Sequence, residues 1–192
     1  MNIVNVGYRS TNYYVLADTR PRLLVDAGWP GTLGAMRQAC QRKGIRLEDI
    51  PYQLATHYHI DHAGLAEELK HLGVKLLVLD TQLPGIPLLR NHVKPEDHYT
   101  EITLDGNILL TEKESRAFLA GIGIQGEIIS TPGHSDDSVT LILGGDMAFT
   151  GDLTHPSMTP ADPMDLARQS WDRIGSMGVR TVYPAHGPVL RL

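Results

Sequence analysis

The feature that most constrains how this chain can fold is the stretch of residues 56–62, with the sequence THYHIDH. The apolar run 52–55 directly before it is typical of a short buried strand. Side chains two apart on an extended backbone point to the same side, so His57 and His59 are expected to face one centre. Four potential metal ligands therefore lie within six residues: His57, His59, Asp61 and His62.

The residues that follow predict a helix over 63–70, where Leu65 and Leu69 are four apart. Asp61 and His62 then lie at the turn from strand to helix, where they can point back at the same centre. Neutral imidazole binds zinc and iron, and carboxylate binds the same ions. A lone histidine is usually a core or surface residue, but this density of ligands predicts a metal site.

Composition indicates an ordinary soluble globular protein. The 192 residues suit one domain spanning 1–192, with 42% hydrophobic and 20% charged residues. A formal net charge of −5 argues against broad nucleic-acid binding, which uses a basic surface. Residues 1–5 lack the pattern of a signal peptide, and no apolar run approaches the ~18 residues that cross a bilayer. We therefore expect a cytoplasmic protein with no nucleic-acid or membrane partner.

The order of the predicted elements indicates an α/β fold. Strand, helix and strand follow one another between residues 52 and 79, which predicts a partly parallel sheet. Strands are predicted at 2–6, 12–17, 22–25, 52–55, 74–79, 126–130, 139–143, 147–150 and 180–183. Helices are predicted at 33–42, 63–70, 111–120 and 162–177, the last with Asp162 as its N-cap. The single cysteine, Cys40, lies in a helical pattern and is expected to pack rather than react.

Segment 80–107 lacks periodicity and contains three prolines. A segment of this length is uncommon in a compact domain unless it has a role of its own. Three interpretations remain open from the sequence: an irregular packed loop, the apolar wall of a substrate pocket, or a contact between subunits. The oligomeric state is likewise open, with a homodimer among the options.

Further potential ligands follow other predicted strands. His134, Asp152 and His186 each lie beside a glycine, which allows the backbone to approach a crowded centre. Asp26 ends an early strand and either caps the following turn or orients a metal-binding histidine or water. Seven potential ligands exceed what one tetrahedral zinc takes, and they suit two metals about 3.5–4 Å apart, bridged by a carboxylate and a water-derived oxygen.

These motifs, in this order along nearly the whole chain, resemble those of the metallo-β-lactamase-fold hydrolases. The H-x-H-x-D-H run is the most specific of them. The resemblance implies an αββα four-layer sandwich, in which two sheets pack together with helices outside. It also implies that Asp26 supports one of the metal-binding groups.

Carried over by matching position, the resemblance implies one metal held by His57, His59 and His134. A second would be held by Asp61, His62 and His186, with Asp152 bridging the two. Cysteine is common at the position of Asp152 in true β-lactamases, which counts against antibiotic hydrolysis. An acidic residue takes the position of His59 in flavodiiron proteins, which counts against oxygen reduction.

The expected activity follows from charge. Two divalent ions, two carboxylates and a bridging hydroxide leave a formal charge of +1, which favours attack by hydroxide on a carbonyl. Asp61 is the predicted proton carrier. We expect a small-molecule lactone or thioester as substrate and zinc as the metal, with iron or manganese as alternatives. A persulfide dioxygenase with one iron and a phosphodiesterase are the competing functions.

The remaining histidines and acids carry weaker predictions. Tyr58 alternates away from its neighbours and is expected to pack in the core. Asp136 and Asp137 either cap a turn or add negative charge near the site. No second ligand lies close in sequence to four further histidines, which are expected at the surface or in packing contacts: His71, His92, His98 and His155.

Overall fold

Two β-sheets form the centre of the computed structural model, which describes residues 1–192. The strands are β1 (Asn2–Asn5), β2 (Tyr14–Ala17), β3 (Pro21–Val25), β4 (Tyr52–Leu54), β5 (Lys75–Leu79), β6 (Ile108–Leu110), β7 (Gly126–Ser130), β8 (Val139–Leu143), β9 (Met147–Gly151), β10 (Thr181–Pro184) and β11 (Leu190–Arg191). The helices are α1 (Leu33–Gln41), α2 (Ile60–Ala63), α3 (Ala66–His71), α4 (Glu112–Gly121) and α5 (Leu166–Ser176).

The first sheet has the order β1-β2-β3-β4-β5-β6, and the second has the order β11-β10-β9-β8-β7. In the first sheet, β1, β2 and β3 are antiparallel neighbours, whereas β3 to β6 are parallel. This confirms the partly parallel sheet predicted from the strand, helix and strand order. In the second sheet only β9 and β10 are parallel.

Successive side chains of a strand point to opposite faces of its sheet, and this explains how the two sheets pack face to face. Leu77 and Leu79 of β5 point into the cluster between the sheets, and Leu76 and Val78 point to the opposite face. Strands buried on both faces are continuously apolar, as residues 76–79 of β5 are. The cluster between the sheets has 14 buried residues, drawn from strands of both sheets and from α4 and its C-terminal end.

Helices cover the outer faces. Helices α1 and α3 pack on the first sheet through Met36 and Leu69, and α5 packs on the second through Trp171 and Ile174. The layers are therefore helix, sheet, sheet and helix, which confirms the predicted αββα sandwich. The longest helix, α5, has 11 residues, and none of the five helices could span a bilayer.

Several predicted boundaries are wrong. The last helix begins at Leu166, and its N-cap is Asp165, whose carboxylate accepts from the N–H of Arg168. Asp162 instead accepts from the N–H of Met164 in the preceding turn, so the polar side chain chosen as the cap is one turn too early. The helix predicted at 63–70 is divided into α2 and α3 by residues 64–65, and strands β6 and β11 were not predicted.

Segment 80–107 packs against the first sheet as a series of 3₁₀ turns. Ile86, Leu89 and Ile102 are buried in one cluster with Leu76 and Val78 of β5. The interpretation as an irregular packed loop therefore accounts for most of its apolar side chains. Leu88, at 55% exposure, is the large apolar side chain of this segment that remains open to a cavity.

Candidate metal centre

The potential ligands meet because several strands end at one edge of the sandwich. Strand β4 leads into residues 56–62, and β7, β9 and β10 lead toward His134, Asp152 and His186. Those three strands run in one direction, since β8 lies antiparallel between β7 and β9 while β10 is parallel to β9. The first sheet supplies four of the seven side chains and the second sheet supplies three.

One set of ligand atoms belongs to His57, His59 and His134, and these atoms lie within 4.8 Å of one another. His59 Nδ1 and His134 Nε2 are 3.1 Å apart. The ring centroids of His57 and His59 are 4.4 Å apart, so residues two apart on extended backbone do face one centre as predicted.

The second set belongs to Asp61, His62 and His186. Asp61 Oδ2 lies 3.2 Å from His186 Nε2 and 3.4 Å from His62 Nε2. Asp61 and His62 are in α2 itself rather than in a turn before a helix, since this helix begins at Ile60.

Asp152 lies between the two sets. Its Oδ2 is 3.4 Å from His62 Nε2 and 3.7 Å from His134 Nε2, and its Oδ1 is 3.4 Å from His186 Nε2. One carboxylate thus faces imidazoles of both sets, which is the geometry that a bridging ligand needs.

Asp26 contacts the centre through Thr56 and His62. Its side chain is buried, and the backbone of this non-glycine residue has a positive φ of 62°. Its carboxylate accepts from the N–H of Thr56 at 2.7 Å, and Oδ2 lies 3.1 Å from His62 Nδ1. A buried carboxylate on the far nitrogen of an imidazole fixes the ring orientation and directs Nε2 to the centre. Asp26 therefore holds the backbone of the loop after β4 and orients His62. The hydrogen bonds of its carboxylate go to residues 56 and 62 rather than to the turn that follows β3, which favours the orienting role over the turn cap.

Two further supporting groups were missed by sequence reasoning. His186 Nδ1 lies 2.8 Å from the carbonyl of Ser10, and the hydroxyl of Thr11 donates to Asp61 Oδ2 at 2.9 Å. The Ser10 contact uses a backbone carbonyl, which leaves no trace in the residue type. The turn that contains these two residues thus holds two of the potential ligands in place.

The residues fit a divalent cation, as their unpartnered atoms show. His57 Nε2, His62 Nε2 and Asp152 Oδ1 are buried and have no hydrogen-bond partner. Asp26, Asp61 and Asp152 all lie within 3.4 Å of the His62 ring nitrogens. A buried polar atom without a partner destabilises the folded protein, and so does a cluster of negative charges. A cation at this point would bind the unpartnered atoms and neutralise the carboxylates.

Local electrostatics agree with this arrangement. Burial and the neighbouring imidazoles lower the pKa of His57 well below its ordinary value, which favours the neutral imidazole that binds metals. For His62, burial lowers the pKa, but the carboxylates of Asp26, Asp152 and Asp61 raise it overall.

Three cavities border residues of the centre, and the third does so only through His134. The first, of about 310 Å³, is bordered by His134, Asp152 and His186 and has Trp171 and Leu190 among its walls. The second, of about 390 Å³, lies on the side of His59 and contains His92, Asp136 and Asp137. The centre is therefore reachable from two sides with different chemistry.

Comparison with known proteins identifies the family. The sequence model of the metallo-beta-lactamase superfamily matches residues 6–186. The chain belongs to this superfamily. Members of this fold bind divalent metals, and the histidine and carboxylate clusters of the chain are consistent with that property.

Superfamily members with related sequences carry hydrolase names. An atrochrysone carboxyl ACP thioesterase of Aspergillus fumigatus is 28% identical over 95% of this chain, which spans 52% of that protein. A probable metallo-hydrolase of Methanocaldococcus jannaschii is 27% identical, with 95% of this chain and 90% of that protein covered. The predicted family and the predicted enzyme class, a metallo-hydrolase, are thereby confirmed.

Solved structures of the superfamily share the fold. A metallo-beta-lactamase family protein of Thermus thermophilus aligns with a TM-score of 0.72 at 22% identity, over 98% of this chain and 73% of that one. BJP-1, a subclass B3 metallo-beta-lactamase of Bradyrhizobium japonicum, aligns with a TM-score of 0.68 at 20% identity, over 96% and 75%. At these identities the comparison supports the fold alone.

The tyrosine, cysteine and histidine residues that were not predicted to bind metal are either buried in the core or exposed at the surface. Tyr58 and Cys40 are buried in apolar clusters as expected. The four histidines that were expected at the surface or in packing contacts are all exposed: His71, His92, His98 and His155. His92 also borders the second cavity, with its ring centroid 5.6 Å from that of His59, and His155 borders the first. Sequence distance from the other ligands concealed both positions.

Proposed function

We propose that this metallo-beta-lactamase superfamily member hydrolyses a small neutral ester-like substrate, a lactone or a thioester, with two divalent metal ions. The observation that carries this proposal is the convergence of seven metal-capable side chains. They form two sets of three, and Asp152 groups with His57 of one set and His62 of the other. A single cation would leave part of this carboxylate and imidazole cluster without a partner.

In this proposal each set holds one ion. His57, His59 and His134 would hold the first, Asp61, His62 and His186 the second, and Asp152 both. Zinc suits the imidazole-rich sets. When bound, the ions supply activation of water at neutral pH and stabilisation of negative charge that develops on the substrate oxygen.

The protein side chains hold the geometry and move the proton. The Thr11 hydroxyl fixes the Asp61 carboxylate through Oδ2, and the Ser10 carbonyl fixes the His186 ring. We propose that Asp61 accepts a proton from water and returns it to the leaving group. Unchanged hydrolysis by Asp61→Asn with full metal content would refute this role.

The substrate class is supported by the first cavity and by one relative. That cavity has no lysine, arginine or glutamate in its lining, so it suits a neutral, largely apolar group. One relative is named a carboxyl ACP thioesterase, which makes a thioester the first substrate to test.

The decisive experiment measures metal content and hydrolysis on the same preparation. We expect two zinc ions per chain and hydrolysis of a thioester or lactone within a panel that also contains phosphodiesters. His59→Ala and His186→Ala should each lose bound metal and hydrolysis. His71→Ala is the matched control, since this exposed histidine lies outside the sets.

Other outcomes point to the competing functions. One iron without zinc, together with oxidation of a persulfide, would replace this proposal with a dioxygenase. Cleavage of phosphodiesters alone would replace it with a phosphodiesterase.

A further inference from the structure

We infer that the cavity lined by Trp171 and Leu190 holds the acyl part of the substrate and selects neutral, apolar acyl groups of limited size. This inference rests on the proposed function, because it presumes that an acyl group is transferred to water.

Position supports the assignment first. His134, Asp152 and His186 line the cavity at one end, so a group bound within it begins at the reacting centre. Trp171 and Leu190 come from α5 and β11, which are the last helix and the last strand of the fold.

The chemistry of the walls supports it next. Leu153, Trp171, Pro188 and Leu190 line the cavity, and Asp152 is its only carboxylate. The Trp171 ring is nearly buried, and its Nε1 donates to the carbonyl of Thr154 at 2.7 Å. A ring fixed by packing and a hydrogen bond forms a rigid apolar surface, which binds an acyl chain with little loss of entropy.

The second cavity differs from the first in charge. Asp136 and Asp137 line it, together with the apolar residues Pro84 and Leu88. The first cavity has one carboxylate and the second has two, which favours the first for a neutral acyl group. In the hydrolysis, a water oxygen bonds to the acyl carbon, the bond from that carbon to oxygen or sulfur breaks, and the leaving alcohol or thiol departs with a proton.

Size limits the acyl group. A volume of about 310 Å³ is at the lower end of the range for small-molecule sites. Each methylene that becomes buried contributes enough apolar area to raise kcat/KM about fourfold. We therefore expect kcat/KM to rise with chain length and to stop rising once the cavity is filled.

The test uses metal-loaded protein and N-acetylcysteamine thioesters of acetate, butanoate, hexanoate, octanoate and decanoate. Leu190→Trp should fill the cavity and lower kcat/KM for the octanoyl ester at least tenfold while the acetyl ester stays within about twofold. Val189→Trp is the matched control, because this neighbouring residue is exposed and outside the cavity lining. It should leave both values unchanged.

A second measurement remains informative if Leu190→Trp does not fold. Octanamide, a neutral probe, should shift the fluorescence of Trp171 in metal-loaded Trp29→Phe, which removes the other tryptophan. No shift at millimolar octanamide would overturn the inference.

The outcomes separate this inference from the proposed function. Thioester hydrolysis with a flat chain-length profile, or one that Leu190→Trp leaves unchanged, overturns the acyl cavity and leaves the hydrolase intact. Absence of hydrolysis for every ester overturns both the proposed function and its acyl selection, even where octanamide still binds.

Discussion

The carboxylate of Asp137 accepts a 2.7 Å hydrogen bond from the backbone N–H of Tyr58, the residue between His57 and His59. This bond joins the loop that carries His134 to the loop that carries the first two histidines. The Asp137 side chain also packs closely against the backbone at Gly85, where an added Cβ atom would lie 2.6 Å from it. Asp137 therefore sets the separation between the loops that must bring His59 and His134 together.

We predict that Asp137→Ala weakens metal binding about tenfold, as loss of a group that orients ligands typically does. Asp137→Asn should lose less, because its amide oxygen can still accept from Tyr58. A competition titration against a zinc chelator measures the affinity. The control is Asp136→Ala, at the neighbouring exposed carboxylate, which should leave metal affinity unchanged. An equal loss of affinity in both variants would mean that the negative charge near the site matters, rather than the hydrogen bond to Tyr58.

Removal of metal should lower the thermal stability of the protein. Without a cation, Asp26, Asp61 and Asp152 repel one another around a buried histidine. A ligand present at a hundred times its Kd stabilises the folded state by about 2.7 kcal/mol, which corresponds to a Tm shift of roughly 5–10 °C for a chain of this size. Calorimetry before and after chelation checks this, and zinc should restore the original Tm. A Tm that is unaffected by chelation would contradict it.

Glu112 should make stability depend on pH on the acid side. Its carboxylate binds the Arg173 guanidinium at 2.7 Å and 3.0 Å and accepts from the Ser130 N–H. The Arg173 guanidinium lowers the pKa of Glu112 below its ordinary value. A depressed carboxyl pKa contributes stability that is complete above the unfolded pKa of about 4.3 and is lost as pH falls through the folded pKa.

We therefore predict that Glu112→Gln lowers the free energy of unfolding by about 1–2 kcal/mol near neutral pH. The difference from the unsubstituted protein should narrow once the pH falls below about 4. Urea unfolding across this range measures it. Glu101→Gln is the control, because its ion pair with Arg90 is 3.7 Å long and largely exposed, which contributes little. A constant difference at all pH values would argue against the ionised carboxylate as the cause.

Gly151 should tolerate no side chain. Its φ is +57°, and an added Cβ would overlap the side chain of Thr56, which holds Asp26. We expect Gly151→Ala to cost about 2–4 kcal/mol from backbone strain plus overlap, and to weaken metal binding. Gly145→Ala separates the two causes, since Gly145 also has a positive φ but has open space beside it. Equal destabilisation would mean that strain alone matters.

The sequence predicted those parts of the fold that depend on local pattern. Strand β5 carries an apolar run over residues 76–79, and a capping box formed by Thr111 and Glu114 begins α4. Strands β6 and β11 have three and two residues, too short for a periodic pattern. The start of α5 was misplaced because Asp162 and Asp165 are both good caps, and only tertiary packing selects the second.

Some residues of the candidate site could also be predicted from the sequence and others could not. His57, His59, Asp61 and His62 are recognisable from spacing alone. Dividing them and the three residues more than 70 positions away into two sets required the family resemblance. Their convergence is now described, and their role as metal ligands stays a prediction. Ser10 could not be found from sequence, since its carbonyl contact with His186 joins residues 176 positions apart.

The division of the seven side chains between the two sheets has a mechanical consequence. One half of the sandwich contributes residues 57–62, and the other contributes His134, Asp152 and His186. Metal coordination would then link the two sheets across the apolar core between them. Sliding of one sheet past the other would stretch bonds between the ions and their ligands.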